Sequence, residues 1–315
     1  MATVITTEGA QAYSPCLFKI ERTTSATTDA EVRVVPLDTN TQYQYYKTIK
    51  GLSAQVNVAD YARAYLRTAP YVSDATFDSD NGNALGRAVR VRVTADGVSA
   101  NVAISEGWDN SAPLLRTNLR KRLIGVGMAD EIEVRSNTAA TIRVYAKGTL
   151  VGEEARSGNT AYTSIAYAVC VPSGLKAGDT FYITVNSERI DYTVVASGTQ
   201  LRWINRYGAV DSWAWESEQS EEVSTTKTRI YTADGYTTLN TEAEEEVTLR
   251  SRVVDKDTAR EVASVLYALR VWRVDFADDW GAVEQVDVAN TEGTVSNADN
   301  LTQIGVRIRR RKRVL

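Results

Sequence analysis

The sequence predicts a mainly β chain, built of antiparallel β-sandwich or barrel domains with two or three short helices. Three observations carry this. Runs rich in Thr, Val, Tyr and Ile alternate apolar with polar residues, as strands with one covered face do. Glycine-containing turn pairs punctuate those runs, among them Asn81-Gly82, Asp96-Gly97, Ser173-Gly174, Gly178-Asp179, Ser197-Gly198 and Asp234-Gly235. Few spans repeat apolar residues at helical spacing.

Taken in order, the chain opens with the strand-like Tyr13-Ser14-Pro15-Cys16-Leu17-Phe18-Lys19-Ile20. A short helix follows: Asn57 can cap it, and Val58, Tyr61, Ala62 and Tyr65 share one face. Strands are expected at Ala88 to Val93, Ile132 to Arg135, Thr141 to Tyr145, Phe181 to Val185 and Tyr192 to Val195. A weaker helix is expected at Ala112 to Leu123, with Pro113 in its first turn. Another opens at Asp255 or Asp257; Val262, Ala263, Leu266 and Leu269 share its buried face, and Arg270 sits at its cation-favouring end. Ile304, Val306 and Ile308 alternate in a last strand, after a small, polar loop at Thr291 to Asn300. Thr-Ala-Asp-Gly occurs at Thr94 to Gly97 and at Thr232 to Gly235, which reads as ordinary hairpin chemistry rather than duplication.

The most informative segment is Leu201 to Trp215, which holds three of the six tryptophans. Leu201 and Trp203 lie two apart before a turn at Gly208; Asp211, Trp213 and Trp215 do so after it. That is the period of a hairpin with one covered face, and Gly208 can take the positive φ of a tight connection. The rings would form core, with Arg202 and Arg206 lying over them as cation–π partners.

The run Arg202-Trp203-Ile204-Asn205-Arg206-Tyr207-Gly208, followed by Val210-Asp211-Ser212-Trp213, resembles a hairpin of tail-associated proteins of phages and prophages of Bacteroidetes-type hosts. In looser form the resemblance extends to the strand at Tyr13 to Ile20, where Ser14 replaces the usual Asn. It takes in Val56 to Leu66 as a short helix, the helix from Asp257 to Arg270 and the terminal strand Gln303 to Arg309. It implies architecture and setting, a virion tail protein of distal-tail or baseplate type, and attaches no catalytic residue to the pattern.

Composition narrows the chemistry. The 315 residues include no histidine, which removes the usual general base near neutral pH, imidazole-based triads and the commonest zinc ligand. No carboxylate pair stands out as a glycosidase pair would, so no enzyme, cofactor or metal is expected. Asp78-Ser79-Asp80-Asn81-Gly82 has its glycine one place early for a calcium loop, and Val89 stands where a bidentate Glu belongs. Gly125-Val126-Gly127 lacks a third glycine for nucleotide binding, Asp130 being in its place. Cys16 and Cys170 sit in apolar runs and read as reduced. No apolar run is long enough to span a membrane, and residues 1–8 lack an export signal, so the expected setting is the host cytoplasm and then the virion tail. The Asn300-Leu301-Thr302 sequon carries no weight in such a chain.

Domains are expected at 1–150, 151–216 and 217–315, the last completing a sheet; Glu216 to Glu222 reads as a linker or an exposed edge. Two charged segments suggest contacts. The acidic run contains Glu242, Glu244, Glu245 and Glu246; the net charge of the whole chain is −4. The basic strand end contains Arg307, Arg309, Arg310, Arg311, Lys312 and Arg313. The acidic run is either a solvated edge or a docking surface. For the basic end, nucleic acid is disfavoured by the acidic whole, and pairing with the acidic face of a neighbouring copy ranks first. The expectation is a ring-forming tail subunit, guessed to be a hexamer, that binds copies of itself and other tail proteins. The alternative is a carbohydrate- or receptor-binding β module using Trp203, Trp213, Trp215, Trp272 and Trp280.

Overall fold

The computed structural model describes residues 3–10, 15–36, 41–63, 65–66, 70–75, 88–105, 113–158, 164–215, 217–233, 235–268, 270–277, 279–289 and 301–314. The calcium-like segment at 78–82, Leu269, and the loop at 291–300 lie outside these residues. Antiparallel sheet dominates, and the strands gather around three hydrophobic cores.

The first core takes β1 (Thr3–Glu8), β2 (Leu17–Pro36), β3 (Tyr43–Asn57), β4 (Ala88–Ala95) and β5 (Val98–Ser105). β2 is the spine: its start pairs with β1, its end with β4, and its other edge with β3 along most of its length. The period-two reading holds, because Phe18, Ile20, Val32 and Val34 of β2 and Val89, Val91 and Val93 of β4 are buried in alternation. Asn57 caps the short helix α1 (Ala59–Arg63): its Oδ1 accepts from Ala59 N at 3.1 Å and from Cys16 N at 3.2 Å. Cys16 and Cys170 are both free, and burial pushes the Cys16 thiol up to about 11.

The second core is a sandwich. One layer is a five-stranded sheet of β6 (Lys121–Gly125), β8 (Ala140–Ala146), β9 (Thr149–Arg156), β11 (Thr180–Val185) and β12 (Glu188–Val195). Their spatial order is β6-β12-β11-β8-β9, and β6 runs parallel to β12. The facing layer pairs β7 (Ala129–Arg135) with β10 (Ser164–Cys170). Ile132, Val134, Ile165 and Tyr167 meet Ile142, Val144, Ile183 and the stacked Phe181–Tyr192 rings between the layers. The helix expected over Ala112 to Leu123 is not there. Ala112 lies outside the described residues, 113–120 is irregular with a bridge from Leu115 to Val134, and Lys121 onward is strand. The backbone is claimed by other partners: Leu114 N and Leu115 N donate to the Glu188 carboxylate, and Arg116 N donates to Glu133 O at 2.9 Å.

The third core lies under a seven-stranded sheet made of β13 (Thr199–Ile204), β14 (Val210–Trp215), β15 (Ser217–Thr232), β16 (Gly235–Arg250), β18 (Val271–Asp275), β19 (Ala282–Val288) and β21 (Gly305–Val314). Their order is β14-β13-β18-β19-β21-β16-β15. The two-residue strands β17 (Val254–Asp255) and β20 (Leu301–Thr302) pair beside it. Asp255 caps α2 (Lys256–Val262), accepting from Thr258 N at 2.9 Å, and a 3-10 turn follows at Ala263–Tyr267. The expected boundary at 150 falls inside β9, and that at 216 falls between two strands of one sheet. Of the two expected readings for residues 216–222, the edge is the one found: Ser217 to Glu222 are part of the edge strand β15.

Each of the large sheets has one edge alongside another strand and one edge open. β1 lies beside β5, and β6 lies beside β14. Among the described residues nothing pairs with the outer edges of β3, β9 and β15.

Candidate functional site

Two places gather the residues that the sequence singles out: the seam where the tryptophan hairpin meets the second core, and the charged strands at the far side of the seven-stranded sheet.

The hairpin forms as expected. Trp203 pairs with Asp211 and Leu201 with Trp213, and Gly208 takes φ 75° at the turn. Asn205 ties that turn: its Oδ1 accepts from Tyr207 N at 2.9 Å and Ala209 N at 3.2 Å, and its Nδ2 donates to Arg116 O at 2.9 Å. The difference lies in the covering, because both faces are buried rather than one. Leu201, Trp203, Trp213 and Trp215 enter the third core, and Trp203 Nε1 donates to Ser264 Oγ at 2.8 Å. The opposite face, with Gln200, Arg202 and Ser212, lies against the second core. Arg202 therefore does not lie over the indole rings; its guanidinium donates to Tyr71 O and Ala129 O and sits 5.9 Å from the Phe276 ring. Arg206 stacks on Tyr207 at 4.9 Å.

Between these surfaces is a buried network of charges. Arg122 of β6 bonds Asp130 of β7 at 2.8 Å and Asp211 of β14 at 2.7 Å, all three almost fully buried. Thr117 Oγ1 donates to Asp211 at 2.5 Å, while Tyr192 OH at 2.7 Å and the Ser212 hydroxyl donate to Asp130. Glu133 accepts from Ser164 Oγ at 2.9 Å and Val210 N at 3.1 Å, with Arg116 3.8 Å away. Glu131 accepts from Tyr71 N at 2.7 Å and lies 3.9 Å from Arg202. A pair of this kind stabilises little against an apolar replacement, but it fixes one docking geometry, since any other leaves a buried charge alone.

The two aspartates respond to burial in opposite senses. Burial works against the charge of Asp130, yet Arg122, Arg202 and the hydroxyls of Ser212 and Tyr192 outweigh it and hold the carboxyl below its ordinary value. For Asp211 burial dominates, and the carboxyl is pushed up to about 6 despite Arg122 and Thr117. Between 3.8 and about 6 the folded chain binds a proton at Asp211 that the unfolded chain lacks, so this group's contribution to stability falls as pH rises through that window. Asp130 has the opposite sign: its contribution is present above the ordinary carboxylate range and is lost as pH falls through its lowered value. Asp211→Asn is expected to flatten the decline in stability over the Asp211 window, as measured by urea unfolding at a series of pH values. An unchanged profile would show that the proton sits elsewhere.

Arg122 and Asp130 are almost fully buried, whereas Asp211, buried as well, borders a cleft of about 180 Å³ that is also lined by Asn118, Arg206, Arg260, Glu261 and Tyr267. Among the described residues no group of three or more Cys, Asp and Glu is placed to hold a metal ion. No described helix is long and apolar enough to cross a membrane.

The second place corrects the expected subunit contact. The acidic run lies on β16 and the basic run on β21, and these are antiparallel neighbours in one chain: Glu246 faces Arg309, Glu245 faces Arg310, Ala243 faces Arg313 and Glu242 faces Val314. Arg309 bonds Glu246 at 2.6 Å and Glu244 at 2.8 Å, and Arg307 lies 3.8 Å from Glu246. Asp287 of β19 faces Arg309 from the other side. The charge complementarity is therefore spent within the chain for Glu244, Glu246, Arg307 and Arg309. The backbones at Arg311 and Lys312 continue β21. Arg309→Glu should set three carboxylates around a fourth, loosening β21 from β16; amide exchange over 305–314 should quicken, and unchanged exchange would contradict this pairing.

For the carbohydrate alternative, Trp203, Trp213, Trp215 and Trp272 are buried, leaving Trp280 at 43% exposure as the remaining ring of that set. The aromatic alternation that betrays these strands does not distinguish a buried face from an exposed one. The polar network was missed by sequence reading. Its signal is charged residues inside otherwise apolar strands, as in Lys121-Arg122-Leu123-Ile124 and Ala129-Asp130-Glu131-Ile132.

No family model and no curated protein matches the chain. Solved structures with some likeness include titin Ig tandem domains A164-A165, 8% identical over 62% of this chain and 100% of that one, with a TM-score of 0.18. A 1.5-MDa bacterial ice-binding adhesin is 15% identical over 76% of this chain and 86% of its own, with a TM-score of 0.17. The S-layer protein rSbsC is 10% identical over 91% of this chain and 47% of its own, with a TM-score of 0.19. Likeness at this level carries no inference about function.

Proposed function

We propose that the chain is a non-enzymatic structural subunit of a phage virion tail, a ring component of distal-tail or baseplate-hub type between the tail tube and the receptor-binding apparatus. The observation that supports this best is the set of three open sheet edges on a body whose cores are locked together by buried charge. Open edges expose unpaired N–H and C=O groups, and a closed ring covers them without open-ended growth. The edges differ in charge: β3 carries Lys47 and Lys50 and no carboxylate, while β9 carries Glu153 and Glu154 beside one cation, Arg156, with Glu153 also paired to Arg143 of β8. Pairing β3 of one copy with β9 of the next is heterologous and electrostatically favourable. This moves the contact away from the β16–β21 charges, which are satisfied internally. The hairpin resemblance supplies the tail setting, and the hexamer follows from tail symmetry rather than from any residue.

Native mass spectrometry of the purified chain tests the reading. One closed stoichiometry is expected, six copies first, and Lys47→Glu with Lys50→Glu should reduce it to smaller species. A chain that stays monomeric and quenches its tryptophan fluorescence on glycan titration would contradict the ring and favour a glycan-binding module.

A further inference from the structure

β15 is the open edge with the most to cover. Beyond the rows where Glu242 meets Val314, β21 ends, and β15 and β16 continue alone as a two-stranded ribbon to the turn at 232–235. A ribbon of two strands is marginal in water without a partner. This one also leaves apolar groups in solvent: Tyr231 and Tyr236 at its tip are 77% and 76% exposed, and Ile230 is 43% exposed.

The charges along β15 are ordered. Glu218, Glu221 and Glu222 fall in its first half, Lys227 and Arg229 in its second. In the β16 register Glu222 falls opposite Glu246, Lys227 opposite Thr241 and Arg229 opposite Thr238, so none of these three meets an opposite charge there. A strand whose acidic half precedes its basic half is complementary to itself when turned end for end. Of the three open edges, β3 is only basic and would repel the second half of β15. The β9 edge carries two carboxylates and one arginine, Arg156, so it offers the acidic first half no net attraction. Antiparallel pairing with another β15 places both halves against opposite charge at once.

We infer that the outer edge of β15 is an isologous contact, in which a second copy of this chain adds its own β15 antiparallel about a two-fold axis near Ser224 and Thr225. Two seven-stranded sheets then become one continuous sheet, and each ribbon is flanked by the first half of the other copy's β15. This contact is separate from β3 and β9, so it joins two chains, or two rings, face to face whether or not a ring closes.

Two charge-reversed full-length variants test it by sedimentation. The pair Glu221→Lys with Glu222→Lys makes β15 wholly basic at these positions, apart from Glu218; Lys227→Glu with Arg229→Glu makes it wholly acidic. Because Glu222, Lys227 and Arg229 meet no opposite charge in the β16 register, both variants should keep the wild-type circular dichroism and melting curve. Wild type should sediment with paired chains, each variant alone at half that mass, and an equimolar mixture of the two at the paired mass again. As a second readout, Ser224→Cys and Thr225→Cys should cross-link between copies on oxidation faster than a cysteine at 218 or 230. The inference is overturned if wild type shows no pairing, if either variant keeps the paired mass, or if the mixture fails to restore it. Loss of ring closure with retained pairing would count against the β3–β9 contact alone.

Discussion

Arg122→Ala is expected to cost about 3–5 kcal/mol of unfolding free energy, the range found when one partner of a buried ion pair is removed. The cause is not the lost Coulomb attraction as such. Asp130 and Asp211 would remain almost fully buried with their chief cation gone; Asp130 would keep the field of Arg202 and its hydroxyl donors, and Asp211 only hydroxyl and amide donors. Urea unfolding at neutral pH measures this. Lower pH should soften the loss by protonating Asp211 first. A loss under about 1 kcal/mol would mean that water reaches the seam and that the cores are not locked there.

Trp213→Ala is expected to cost a similar amount, about 3–5 kcal/mol, because it deletes a ring that is closed off by the third core. Trp280→Ala should cost far less, about 1 kcal/mol, since its ring is partly in solvent and makes one edge contact with Phe276 and one hydrogen bond to Gly127 O. Equal effects from the two would contradict the placement of the hairpin as the joint between cores. The contrast also bears on glycan binding, for which Trp280 is exposed and the indole of Trp213 is not.

Much of the fold was legible because strand signals are local. Alternation alone marks β4, β8 and β11, and single side chains mark the helix starts at Asn57 and Asp255. The turn at Gly208 follows from one backbone angle. The failures share a different cause, which is partner choice at long range. Arg122 meets Asp211 across 89 positions, and nothing in the spacing of either announces the other. The third expected helix failed because Glu188, 73 and 74 positions away, takes the amides of Leu115 and Leu114. Acidic and basic runs read as facing different subunits proved to be adjacent strands, since sequence charge shows complementarity but not whether the chain folds back to use it. Sheet membership is likewise a long-range property: the seven-stranded sheet joins strands on both sides of 216.

The central claim is that the open edges of this molecule are its working surfaces. Amide hydrogen exchange of the full chain, followed from dilute to concentrated solution, tests it most directly. Protection should rise with concentration along 43–57, 149–156 and 217–232 and stay constant in the buried strands 199–204 and 210–215. Exchange along those three edges that is the same at every concentration would contradict it.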